Sequence, residues 1–310
     1  MRPSLVRPLL ANGSPLVLLA LLACAPAAAP QGRQTPGIVA PPGDVFVSGF
    51  ESDAVHVFRA GVPRGSVSVS GAQSIARGPD KLLYVCAEKI DQVVRLDPET
   101  LGSAVPFVAD DPLTAEDENG PLDGPTAATF GPDGDLFVAS FETDQILRYD
   151  GETGAYEGVF VTAGSGQLNG PDAGTKWGPD GLLSVPSFGN DRVLRYDERG
   201  RFVDAFVSFR EGGLRQPRDL VHHKGSWYVA SSQNNRVLRF DEEGVFQDVF
   251  ATVAQPYSLA FHPRDGNLYA VSLRNNAVRV FDGRDGTFLR TLVAPGDGGL
   301  SGAVFLSIGE

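Results

Sequence analysis

Cysteine is nearly missing from this chain, with two, Cys24 and Cys86, in 310 residues. Cys24 belongs to a leader-like stretch, so no disulfide can form within the remainder. Cys86 stands at a small second-strand position and reads as a small buried hydrophobe. Helical periodicity is missing too: beyond the first thirty residues no window repeats apolar residues every 3.6 positions. Positive charge is scarce, with 26 Lys and Arg against 38 Asp and Glu and a net charge of −12. Without residues 1–23 the balance is 24 basic against 38 acidic residues, a net of −14. An acidic surface opposes nucleic-acid phosphates and anionic headgroups, so neither is an expected partner. Proteins, sugars, other small molecules and cations remain.

Histidine is rare as well: His56, His222, His223 and His262 are the four. His56 falls on a strand, His223 and His262 at turns, and they do not converge on one place. A histidine-based enzyme is not expected. The acidic segment 110–120, DDPLTAEDENG, lacks the spacing of an EF-hand and reads as a solvated loop.

What the chain does have is a repeated phrase. Residues 131–150 read GPDGDLFVASFETDQILRYD and residues 178–197 read GPDGLLSVPSFGNDRVLRYD. Related copies start at Asp44, Asp80, Lys224 and Asp265. A period of about 40–50 residues built from short strands signals a radial array. Within the copy at 125–161, turn residues separate Pro125–Phe130, Leu136–Ser140, Gln145–Tyr149 and Tyr156–Val161. Pro sets φ, Gly supplies positive φ, and Asp and Asn bond their own backbone. Four antiparallel strands per copy make a propeller blade.

All copies share one register. Asp53, Asp91, Asp144, Asp191, Asn235 and Asn276 each precede a third strand by the same spacing. The segment 301–308 reads like the first strand that the copy at Asp44 lacks. The expected fold is therefore all-β: a six-bladed propeller of four-stranded blades, closed by pairing N- and C-terminal strands in one blade. The recurrent Arg-Tyr-Asp or Arg-Phe-Asp at 148–150, 195–197 and 239–241 serves the blades, because each blade needs it equally.

The first residues are of another kind. Arg2 and Arg7 precede an apolar run from Leu16 to Ala23, a secretory pattern too short to span a membrane. Leu21-Leu22-Ala23-Cys24 resembles a bacterial lipobox, whose cysteine carries lipid. The expected organisation is a signal peptide at 1–23, lipidation at Cys24, an Ala/Pro-rich tether at 24–40 and the propeller at 41–310. This places an anchored monomer outside the cytoplasm, at the periplasm or cell surface, touching membrane only through its lipid. With ordinary cleavage instead, the domain is secreted.

Chemistry in a propeller collects at the mouth of its channel, where inner strands begin. The entrances here are Asp123-Gly124-Pro125-Thr126, Asn169-Gly170-Pro171-Asp172, Gln216-Pro217-Arg218-Asp219 and Gln255-Pro256-Tyr257-Ser258, with Gln73-Ser74 and Ser301-Gly302 completing the ring. Oxygen ligands converging from several blades suit a hard cation such as Ca²⁺ or Mg²⁺, and Asp123, Asn169, Asp172 and Asp219 are the candidates. The same side chains also serve to close turns.

The units resemble NHL-type repeats and, more broadly, the six-bladed SMP-30/gluconolactonase superfamily across residues 41–310. That resemblance implies lactonase chemistry on a metal held by Glu, Asn and Asp at inner-strand entrances. Asp123-Gly124-Pro125 and Asn169-Gly170-Pro171 have the matching form. The family's Glu-Gly-Pro is missing here, and the order of residue types differs. The first expectation is a module that binds a protein, small molecule or carbohydrate. The alternative is a metal-dependent hydrolase of the lactonase or esterase type.

Overall fold

The computed structural model describes residues 43–109 and 120–309. The leader, Cys24, the tether and residues 110–119 of the acidic segment lie outside the described residues. The described chain folds into six four-stranded antiparallel sheets arranged as a six-bladed propeller. The four strands expected between Pro125 and Val161 are found with those bounds. We number the blades by sequence, blade 1 holding Asp44–Gly49 and blades 2 to 6 following.

Blade 1 closes the ring. Its inner strand is Ala303–Ile308, which pairs antiparallel with Asp44–Gly49. The register sets Val45 against Ile308, Val47 against Leu306 and Ser48 against Phe305. The terminal segment thus supplies the missing strand, as the sequence predicts, and covers an edge that would otherwise be exposed. Among the described residues no helix is long and apolar enough to cross a membrane.

The Asp/Asn position repeated before every third strand turns out to join blades. All six residues are left-handed, with φ between 47° and 63°. That backbone state suits Asp and Asn, whose short polar side chains bond locally. Each side chain reaches the inner-strand entrance of the next blade. Asp53 accepts from Gly71 N, Asp91 from Gly124 N, Asp144 from Gly170 N and Asp191 from Gln216 N, at 2.6–2.8 Å. Asn235 accepts from Gln255 N and Asn276 from Ala303 N, both at 2.9 Å. Six clasps therefore run in one direction around the ring.

The Arg-Tyr/Phe-Asp phrase serves the blade, as expected. Tyr149, Tyr196 and Phe240 are fully buried. Arg148 pairs with Asp135 and Glu157, Arg195 with Asp180 and Asp204, and Arg239 with Asp248. Asp150, Asp197 and Asp241 accept backbone N–H groups of the hairpins that follow them. Cys86 is buried, and burial pushes its thiol up to about 12, so it stays protonated and inert.

Candidate functional site

The entrances to the inner strands are built by a second repeated device. Phe50, Glu88, Phe141, Phe188, Ser232 and Leu273 each follow a second strand. Each donates its backbone N–H to the carbonyl of Gly302, Gly71, Gly124, Gly170, Gln216 or Gln255, at 2.9–3.3 Å. Those acceptor residues are all left-handed, with φ between 47° and 64°. One residue per blade is thereby fixed on the rim of the channel. Most are apolar or aromatic and half-buried, and the Phe141 and Phe188 rings lie 5.9 Å apart.

Two residues beyond each left-handed acceptor lies a lower level: Gln73, Thr126, Asp172, Arg218, Tyr257 and Val304. Polar members of this level bond to one another around and across the channel. Thr126 Oγ1 donates to Pro171 O at 2.8 Å, and Arg218 Nη1 donates to Asp172 Oδ2 at 2.7 Å. The same Nη1 lies 3.2 Å from Tyr257 Oη, which donates to Gln73 Oε1 at 3.2 Å. Gln73 in turn donates to Glu88 on the rim. Tyr257 comes from blade 6 and Gln73 from blade 2, so their bond joins the blades on either side of blade 1.

Arg218 is the centre of this plug. Its guanidinium lies 4.0 Å from the Phe188 ring centroid and 4.6 Å from that of Tyr257. Cation–π attraction of this kind strengthens where water is excluded. Burial works against the charge on Arg218. Asp172, Tyr257 and Glu88 outweigh it and raise the pKa, so the side chain is a fixed cation. Burial pushes the Tyr257 phenol up, so it remains a neutral donor.

The local sequence of blade 4 makes this contact possible. Its inner segment carries one residue more than that of blade 3 between the left-handed glycine and the Gly-Pro-Asp-Gly turn. Its ladder shrinks to Lys176–Trp177 plus a bridge from Pro171 to Ser187. A Cβ on Gly174 would sit 2.5 Å from Asp219 Cα, so glycine permits the close approach to blade 5. Lys176 Nζ then reaches Asp219 Oδ1 at 2.8 Å.

The four sequence candidates for a cation therefore fall in two kinds of place. Asp172 and Asp219 are fully buried, and protein cations already hold them. Asp172 accepts from Ala173 N and Arg218. Asp219 accepts from Lys176 Nζ, Leu220 N, Ser258 Oγ and Leu259 N. Asp123 and Asn169 lie on the rim, where their backbones are tied to Ser140 and Ser187. Asp123, Asp172 and Asp219 do not converge. Among the described residues the convergent carboxylate group is Asp135, Asp150 and Glu157 on blade 3, where Arg148 already pairs with Asp135 and Glu157. Sequence reasoning placed Arg218 and Tyr257 at the channel entrances without assigning them a role, and did not single out Phe188. The available signal was that these positions change from blade to blade while the clasp positions beside them do not.

No family model matches the sequence, and no curated protein matches it. Solved structures do. A chain of the nidogen/laminin complex superposes with a TM-score of 0.69 at 14% identity, over 86% of this chain and 98% of that one. A protein of unknown function from Bacteroides caccae matches with a TM-score of 0.63 at 11% identity, over 87% and 100%. Virginiamycin B lyase from Staphylococcus aureus matches with a TM-score of 0.56 at 14% identity, over 80% of each chain. Identities this low speak for fold alone. The chain is a six-bladed β-propeller whose structural neighbours include a propeller of the nidogen/laminin complex and the virginiamycin B lyases.

Proposed function

We propose that this protein is an exported, ligand-binding propeller of NHL-like type, and that its binding site is the channel mouth above the Arg218 plug. The observation that carries the reading is the contrast between neighbouring repeat positions. The clasp residue is Asp or Asn in every blade, as the fold requires. The rim and plug positions instead mix Phe, Leu, Glu, Gln, Thr, Arg and Tyr, which no common structural need dictates. Half-buried aromatic faces over a few fixed polar groups suit a small molecule or carbohydrate that has one apolar face.

The test is a melting-temperature screen of purified protein against oligosaccharides and aromatic carboxylic acids. A true ligand at a hundred times its Kd adds about 2.7 kcal/mol of stability. Phe188→Ala should abolish that gain while the free protein still melts cooperatively. A gain that survives both Phe188→Ala and Phe141→Ala moves the site elsewhere, and a panel without any stabilising member counts against the reading. Ca²⁺ in the same screen separates the alternative of a metal-dependent hydrolase. The contacts of Asp172 with Arg218 and of Asp219 with Lys176 predict no Ca²⁺ stabilisation. A saturable Ca²⁺ shift would favour the hydrolase.

Export rests on the leader, with Cys24 as the lipid attachment. Stable anchoring needs acyl chains, since a single hydrophilic domain has none of its own. Cys24→Ser should move the protein from the membrane fraction to the soluble envelope or medium. Unchanged fractionation would remove the lipid anchor from the proposal.

A further inference from the structure

Two residues beyond the rim residue Phe50, the turn of blade 1 carries Ser52, half-buried, with its Oγ 2.8 Å from His56 Nε2. On the other side of the ring, His56 Nδ1 lies 3.2 Å from Gly298 O. A carbonyl only accepts, so Nδ1 carries the proton and Nε2 holds the lone pair toward Ser52. The serine hydroxyl then donates to Nε2, and Ser301 N–H donates to the serine oxygen at 3.3 Å. His56 is 4% exposed, and burial lowers its pKa from the ordinary histidine value, which favours the neutral imidazole. In sequence His56 is an isolated strand histidine; in the fold the preceding turn folds back onto it.

The pair is also a departure from the repeat. His56 stands where blades 2 to 5 bury Val94, Leu147, Leu194 and Leu238. Ser52 stands where blades 4 and 5 have Asn190 and Asn234. Each of those asparagines ties the loop before its own blade in a single step, to Gln167 O and Gly213 O. The fold thus has a one-residue tether for this loop. Blade 1 replaces it with a two-residue relay through a buried imidazole. Gly49 leaves room for it: a Cβ there would run into Ser52 Oγ and lie 3.2 Å from His56 Nε2.

We propose that Ser52 and His56 form a nucleophile–base pair that accepts acyl groups from carboxylic esters, with the Gly298 carbonyl orienting the imidazole. In the first step Ser52 Oγ bonds to the ester carbonyl carbon as its proton passes to His56 Nε2. The carbon–oxygen bond to the alcohol then breaks, and the alkoxide leaves with that proton. Water then bonds to the acyl carbon as one of its protons passes to His56 Nε2. The bond from that carbon to Ser52 Oγ breaks, and the imidazolium returns the proton to Oγ, which releases the carboxylic acid and restores Ser52. This is the geometry of an activated nucleophile: a base within hydrogen-bond reach, itself held by a third group. The site is separate from the channel-mouth reading, and its failure leaves that reading untouched.

A fluorophosphonate probe tests it, since Ser52 Oγ would form a bond to phosphorus as fluoride leaves. Intact-mass and peptide mapping of the full-length protein should show one adduct, at Ser52. Ser52→Ala should abolish it. His56→Leu, which restores the residue type of blades 3 to 5, should slow it by about 10²-fold or more. Should His56→Leu fail to fold, Ser52→Ala decides alone, since it removes only a hydroxyl. No adduct on folded wild type, an adduct that persists in Ser52→Ala, or an unchanged rate in folded His56→Leu would each overturn the proposal.

Discussion

Removing residues 301–310 should leave a chain with no cooperative unfolding transition. The deleted strand buries Val304, Phe305 and Leu306, and Ala303 receives the clasp from Asn276. Each large buried apolar side chain contributes about 1.5–3 kcal/mol. Three of them approach the roughly 5–15 kcal/mol that holds a domain folded. The loss also uncovers Asp44–Gly49 along its whole hydrogen-bonding edge, which invites pairing between molecules. Calorimetry and light scattering of the truncated protein check this. A truncated chain that melts like wild type would show that the ring does not depend on its closing strand.

Asp219→Asn should be the most damaging single conservative change, lowering stability by about 3–5 kcal/mol, the usual penalty for breaking a buried charged pair. The volume hardly changes, so the effect isolates chemistry. All four neighbours of the carboxylate are donors: Lys176 Nζ and Leu220 N on one oxygen, Ser258 Oγ and Leu259 N on the other. An amide keeps one acceptor and turns an NH₂ toward two donors. Whichever way the amide turns, one backbone N–H, that of Leu220 or Leu259, is stranded in a buried place with no water to turn to. In a domain of this size the melting temperature should fall by roughly 10 °C. Lys176→Met should do less, because the ammonium is 31% exposed and hydrates easily. Equal effects of the two substitutions would mean that charge pairing, rather than donor satisfaction, dominates.

Strand positions and ring closure were legible because period-2 runs and turn residues are local signals, repeated six times. The role of Asp53 and its five counterparts was legible only in part. Their sequence marks a turn, yet the acceptor work is done on the following blade, 18 to 33 residues further along. The plug was not legible for a different reason. Arg218 and Asp219 are adjacent in the chain, yet their side chains go to different partners on blade 4. Carboxylates converging on a channel read as a cation site from sequence. The structure places protein cations there, because the extra residue in blade 4 and the bare backbone of Gly174 bring its inner segment against blade 5. Nothing short of knowing that approach would have paired Lys176 with Asp219. The strand position of His56 was legible, but its contacts were not, since Ser52 sits in the turn just before it and the Gly298 carbonyl near the far end of the chain.

The bond between Tyr257 and Gln73 joins blades on either side of the closing blade. Phe188 and Arg218 bring in two more blades, so the floor of the mouth draws on residues spread over most of the chain. No fragment that begins after Gln73 or ends before Tyr257 carries all of these residues. The ring around the mouth is complete only when Ala303–Ile308 pairs with Asp44–Gly49. A molecule resting there would recognise the finished ring rather than any local motif, and by mass action it would hold that ring shut. On the proposed reading, such a molecule would also inspect the ring, since opened copies would offer it no complete floor.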